Sequence, residues 1–83
     1  MTSPLFPVTL TSKDAQRLSP YLTGWPRLAA LLLKGVNVPD LQRLILLELE
    51  GAKRKPMLDR LMMRLLRLQR KALETEVYRR AAR

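Results

Sequence analysis

Residues 40–70, DLQRLILLELEGAKRKPMLDRLMMRLLRLQR, decide the fold. Two leucine-rich runs of helical period flank the polar connection GAKRK at residues 51–55. Gly51 stops the first run, and Pro56 suits the first turn of the second, where its missing N–H would have no intrahelical acceptor. Beyond Pro56 the chain meets neither glycine nor proline. Carried to Arg80, that helix spans about 38 Å at 1.5 Å per residue. The pair predicts an antiparallel helical hairpin over residues 38–80, in an all-α fold of three to four helices dominated by that hairpin and its long basic C-terminal helix.

On a helical wheel of 100° per residue with Arg60 at the origin, Arg64, Arg67 and Lys71 fall at about 40°, 340° and 20°. These four cations share one face. Leu68, Leu61, Ala72, Leu65, Leu58, Met62, Leu73 and Leu66 fill an arc from roughly 80° to 240°, the side expected to meet a core or a partner helix. The 3-4 spacing of Leu58, Leu61, Leu65, Leu68 and Ala72 fails at Thr75, short of the heptads a coiled coil needs. In the preceding helix Leu41, Leu44, Ile45, Leu47 and Leu49 form the apolar arc, with Glu48 inside it. A carboxylate there needs a partner, because an unpaired buried charge is too costly. The expected partner is Arg54 or an arginine of the last helix, closing the hairpin as a structural ion pair. The alternative is a cation of a bound partner.

Working upstream, Asn37 and Asp40 stand at N-cap spacing, with Pro39 in the first turn of a helix over about 38–50. Gly24 and Pro26 open a helix over about 26–34 that Gly35 ends. Thr11 and Asp14 open a short helix over about 12–18, which Pro20 ends or interrupts. Residues 1–10, with Pro4 and Pro7 between apolar side chains, read as an extended arm docking through Leu5 and Phe6. The whole chain, 1–83, is read as a single small helical domain.

Composition narrows the function. Eighty-three residues leave little room for a deep catalytic cleft. Histidine and cysteine are absent, which removes disulfides, Cys/His zinc sites and thiol nucleophiles. Asp59, Glu74 and Glu76 lie among cations on a surface helix, surroundings unlike those of a general acid. The expectation is a protein that is not an enzyme, with no cofactor and no metal. No apolar run approaches the roughly 20 residues of a membrane span, so no transmembrane segment and a cytoplasmic location are expected. The net charge of +9 is lopsided: residues 1–50 carry five Lys/Arg against four Asp/Glu, and residues 51–83 carry eleven against three.

That excess points to nucleic acid or an acidic protein surface as partner. The candidate binding residues are Arg54, Arg60, Arg64, Arg67, Arg70 and Lys71, arginine-rich as suits phosphate and carboxylate. The competing reading is a merely solvated face, but such faces mix both signs, whereas here only Asp59 and Glu74 lie nearby. A helix-turn-helix around GVNVPD matches weakly, with Gln42 and Arg43 its only base readers. Trp25 is read as a core or hairpin-capping residue in preference to a stacking platform. Tyr78 shares the wheel angle of Arg60. More Leu and Met positions than so short a chain can cover predict a homo-oligomer, and a second mode of action is docking on an acidic host or virion protein through the Leu/Met face, where Met57, Met62 and Met63 suit adaptable packing.

The succession in residues 40–70 of an acidic-ended helix, a Gly-x-x-Arg turn and a Leu/Arg helix resembles small helical-hairpin accessory proteins of tailed bacteriophages. The likeness covers about a third of the chain. It implies a phage-type protein located in the host cytoplasm or the virion, associated with nucleic acid or virion components or acting on a host protein, and it transfers no site residues.

Overall fold

The computed structural model describes residues 6–82. Among them the order is α1 (Ser12–Leu18), a 3₁₀ turn (Ser19–Leu22), α2 (Trp25–Lys34), α3 (Val38–Glu50) and α4 (Lys55–Ala81), with no β-strand element. The fold is all-α.

Local chemistry sets the boundaries. Thr11 and Asp14 form a reciprocal capping box: Thr11 Oγ1 accepts from the Asp14 N–H at 3.1 Å, and the Asp14 carboxylate accepts from the Thr11 N–H. Pro20 turns the end of α1 into the 3₁₀ segment, a feature the sequence reading did not anticipate beyond a break at that residue. Asn37 Oδ1 accepts from the Asp40 N–H at 2.9 Å and opens α3. Gly35, at φ +109°, ends α2 in a conformation that side chains rarely adopt. Lys53 takes φ +53° without being glycine, and its N–H donates to the Glu48 carbonyl at 2.9 Å.

The core is aliphatic. Leu18, Leu28, Leu32, Leu41, Leu44, Ile45, Met57, Leu61 and Leu65 are buried in one cluster, with Phe6, Tyr21, Leu22, Leu58 and Leu68 packed at its edge. The most extensive packing joins α3 to α4 across the four-residue turn between them, while α2 packs mainly on the 3₁₀ turn. Fully burying a leucine is worth about 2 kcal/mol, so nine such positions hold this small fold together without disulfides.

Coverage of α4 is uneven along its length. Met57, Leu61 and Leu65 are buried, but Met62, Met63, Leu66, Leu73 and Val77 are exposed. From Gln69 to Ala82 every residue except the half-buried Glu76 is exposed. The intramolecular core therefore uses a narrower arc than the wheel proposed, leaving out Met62, Leu66, Ala72 and Leu73. The molecule measures 46 × 29 × 22 Å, its long dimension close to the ~40 Å of a 27-residue helix.

The N-terminal arm lies partly outside the described residues, Leu5 included. Phe6 packs against the core, and Arg43 Nε donates to the Thr9 carbonyl at 3.1 Å, fixing the arm to α3.

Candidate basic-helix interface

The six cations singled out in the sequence fall into three groups. Arg54 belongs to the fold. Its Nε donates to Glu48 Oε2 at 3.0 Å, its Nη2 to Oε1 at 2.8 Å, and its backbone N–H to Oε2 at 2.8 Å. Nη2 also reaches the Leu22 carbonyl at 2.6 Å. Glu48 is thus the structural ion pair expected from its place on the apolar arc, and of the two expected partners Arg54 is the one found. Three elements meet at this cluster: the end of α3, the start of α4 and the 3₁₀ turn. α4 has no side-chain N-cap and no acidic residue in its first turn, so Glu48 supplies the negative charge its N-terminus lacks. The Arg54 guanidinium and N–H hold the Glu48 carboxyl below the usual range, against the opposing effect of its burial. Arg54 therefore serves the fold first: its Nε, Nη2 and backbone N–H are committed to Glu48 and the Leu22 carbonyl, and Nη1 is its one nitrogen without a hydrogen bond among the described residues.

Arg64 is also partly committed. Its Nη2 donates to the Leu32 carbonyl at 2.9 Å, in the last turn of α2, where carbonyls lack intrahelical donors and a cation suits the helix dipole. Its Nε is buried with no hydrogen-bond partner. The wheel placed Arg64 on the cationic face because a wheel knows only its own helix; α2 lying alongside turns this arginine into a staple.

Arg60, Arg67, Arg70 and Lys71 remain exposed. Arg70 pairs with Glu74 one turn on, at 2.9 Å. Arg60, Arg67 and Lys71 make no ion pair among the described residues. Further along α4, Arg79 and Arg80 both pair with Glu76, the second at 2.9 Å. These pairs are solvent-exposed i,i+3 and i,i+4 contacts worth only a few tenths of a kcal/mol each.

Arg60 rests on Trp25, its guanidinium carbon 4.0 Å from the ring centroid. Trp25 is 38% exposed and outside the buried core, so of the two expected roles, core or hairpin-capping residue, the first is corrected. It is the first residue of α2, preceded by the N-cap Gly24 and followed by Pro26, and its ring meets α4 through Arg60. Grooves lie on either side of the Trp25–Arg60 stack. One of about 420 Å³ is lined by Trp25, Arg54, Pro56, Met57 and Arg60. The other, of about 340 Å³, is lined by Trp25, Leu32, Asp59, Arg60, Met63, Arg64 and Arg67. Sequence reasoning missed this groove because it depends on the distance between α2 and α4.

The base readers of the helix-turn-helix alternative are unsuited to that role. Gln42 is 5% exposed. Arg43 donates from Nη1 to Asp40 at 2.9 Å and lies 3.6 Å from Asp14. Arg17 joins them with a two-pronged contact to Asp40, both bonds at 3.0 Å, so the quartet ties α1 to α3. Among the described residues no three Asp or Glu side chains gather as a metal-ion group, and no helix is long and apolar enough to cross a membrane.

No family model matches the chain, and no curated protein and no solved structure matches it either.

Proposed function

We propose that this chain is a non-enzymatic, basic helical protein that grips nucleic-acid phosphates without strong sequence preference, using the exposed cations of α4. One observation carries the reading. Five of the seven acidic side chains, Asp14, Asp40, Glu48, Glu74 and Glu76, are taken up in ion pairs, while Arg60, Arg67 and Lys71 stand together on one face without one among the described residues. The charge excess of the C-terminal half is therefore displayed rather than neutralised, as a polyanion-binding surface requires. Arg70, Arg79 and Arg80, held only by weak exposed pairs, extend the surface at small cost. The resemblance to phage helical-hairpin proteins fits an accessory role beside nucleic acid.

The test is a salt titration of binding to a fluorescent oligonucleotide. Affinity falls as salt rises, with a logarithmic slope of about −0.9 per phosphate contact on duplex and about −0.7 on single strands. Joint reversal of Arg67 and Lys71 to Glu lowers the duplex slope by about 1.8, the share of two contacts, and weakens binding at every salt concentration. Absence of binding at low salt overturns the reading.

A second reading has its own observation. Met62, Leu66, Leu73 and Val77 lie along one exposed flank of α4, an apolar stripe suited to docking on an acidic protein or to self-association. A pull-down from nuclease-treated lysate separates the two, since a protein partner survives nuclease and a nucleic-acid tether does not.

A further inference from the structure

The groove between α2 and α4 deepens the phosphate-binding reading and rests on it. We propose that this groove takes single-stranded nucleic acid, with one unstacked base lying on the Trp25 indole and the flanking phosphates on Arg60 and Arg67. Three observations converge. Trp25 is partly exposed and its ring face already accepts a flat π-system, the guanidinium of Arg60 at 4.0 Å. The space continues on both sides of that stack, as a strand passing over the ring requires, and each half has the volume of a small-molecule site. The lining combines cations with apolar side chains: Arg60, Arg64 and Arg67 recur at one-turn intervals on α4, beside the buried Leu32 and the exposed Met63.

This combination of a cationic rail and an aromatic platform is how strands are held without sequence readout. A base arriving at Trp25 displaces the Arg60 guanidinium from the ring, and the freed cation pairs with the phosphate that the base brings. Arg64 stays on the Leu32 carbonyl, so the rail is Arg60 and Arg67. Asp59, the only carboxylate lining the groove among the described residues, disfavours phosphate at its own position and leaves the Arg67 side as the exit. Duplex gains nothing from the platform, because its bases are stacked on one another and cannot reach the indole.

Trp25 is the only tryptophan in the chain, so its emission reports on this site alone. The probes are a labelled 12-nucleotide pyrimidine strand, the duplex of the same sequence, inorganic polyphosphate and poly-glutamate. Anisotropy measures binding, or competition for the unlabelled polyanions, and tryptophan emission measures stacking. The strand is expected to quench Trp25 and to bind at least tenfold tighter than duplex at equal salt. Trp25→Leu is expected to lose roughly tenfold in strand affinity, Trp25→Phe to recover most of it, and duplex affinity to stay unchanged in both. Circular dichroism checks that the variants fold, which the exposed position of Trp25 favours. Equal binding of strand and duplex without quenching, unchanged in Trp25→Leu, overturns the groove while leaving phosphate binding intact. Failure of strand, duplex and polyphosphate alike to bind overturns both. Quenching by poly-glutamate as strong as by the strand assigns the groove to an acidic protein and overturns the inference.

Discussion

The Arg54 guanidinium closes on both carboxylate oxygens of Glu48, six residues upstream, while the Arg54 N–H binds one of the same oxygens. A single residue therefore neutralises the acid that interrupts the apolar face of α3 and delivers it to the start of α4. Arg54→Ala leaves the buried carboxylate with only the backbone N–H. With the arginine side chain 40% exposed, the pair is partly screened, so the expected loss is about 2 kcal/mol, less than for a fully buried pair. In a domain of this size that lowers Tm by roughly 10 °C, measurable by circular dichroism. Glu48→Leu separates a structural from a functional role: binding is expected to survive it, and a loss of binding with the fold intact assigns Glu48 to the partner.

Acid should loosen the fold through three carboxylates. Hydrogen bonds from Arg54 depress Glu48, those from Thr11 depress Asp14, and those from Arg17 depress Asp40. Each folded value lies below its unfolded one, so the folded state binds fewer protons. The stabilisation is complete above the unfolded values and is lost as pH falls through the folded ones. Chemical denaturation is expected to show flat stability down to about pH 5 and a steady decline below roughly pH 4.3, where unperturbed carboxylates take up protons. Stability that rises below pH 4 contradicts this.

Arg64 and Arg67 are one turn apart and are expected to behave oppositely. Arg64→Ala removes the bond to the Leu32 carbonyl and is expected to cost about 1 kcal/mol of stability. Arg67→Ala touches no partner and is expected to leave Tm within about 2 °C, while reducing the salt slope of duplex binding by roughly 0.9. Paired melting and titration curves decide it.

Lys53 occupies the left-handed region that glycine prefers. Lys53→Gly should stabilise the α3–α4 turn by up to about 1 kcal/mol, the residue's own strain outweighing glycine's greater freedom in the unfolded chain. A drop in Tm shows that the lysine side chain contributes more than its backbone costs.

Local chemistry made much of the fold legible. The cap pairs Thr11–Asp14 and Asn37–Asp40, the stops at Gly35 and Gly51, and the prolines at helix starts act within a few residues, so α1, α2, α3 and α4 fall within one residue of the expected bounds. Glu48 was legible as a buried acid, because a charge on an apolar arc signals a missing cation. The candidate site was only half legible. Periodicity shows which side chains share a face but not what lies opposite, so Arg64 counted as a free cation until α2 was placed beside it, and Arg54 counted both as a binding cation and as a partner for Glu48 until the fold joined the two. Trp25 had no periodic signature at all; its exposure follows from the gap between two helices distant in sequence.

The uneven cover along α4 divides the molecule into two thermodynamic units. Up to Leu68 the helix melts with the core. Beyond it some fourteen residues hold themselves up by their own backbone ladder and a few exposed charge pairs, at a length where an isolated helix in water is only marginal. Amide exchange along α4 is therefore expected to pass from globally protected at Leu61 to near the helix–coil limit at Val77, within a single unbroken element. A polyanion laid along the distal segment would draw its ordering free energy from binding, so the reach of this helix becomes a property of the complex and not of the free domain.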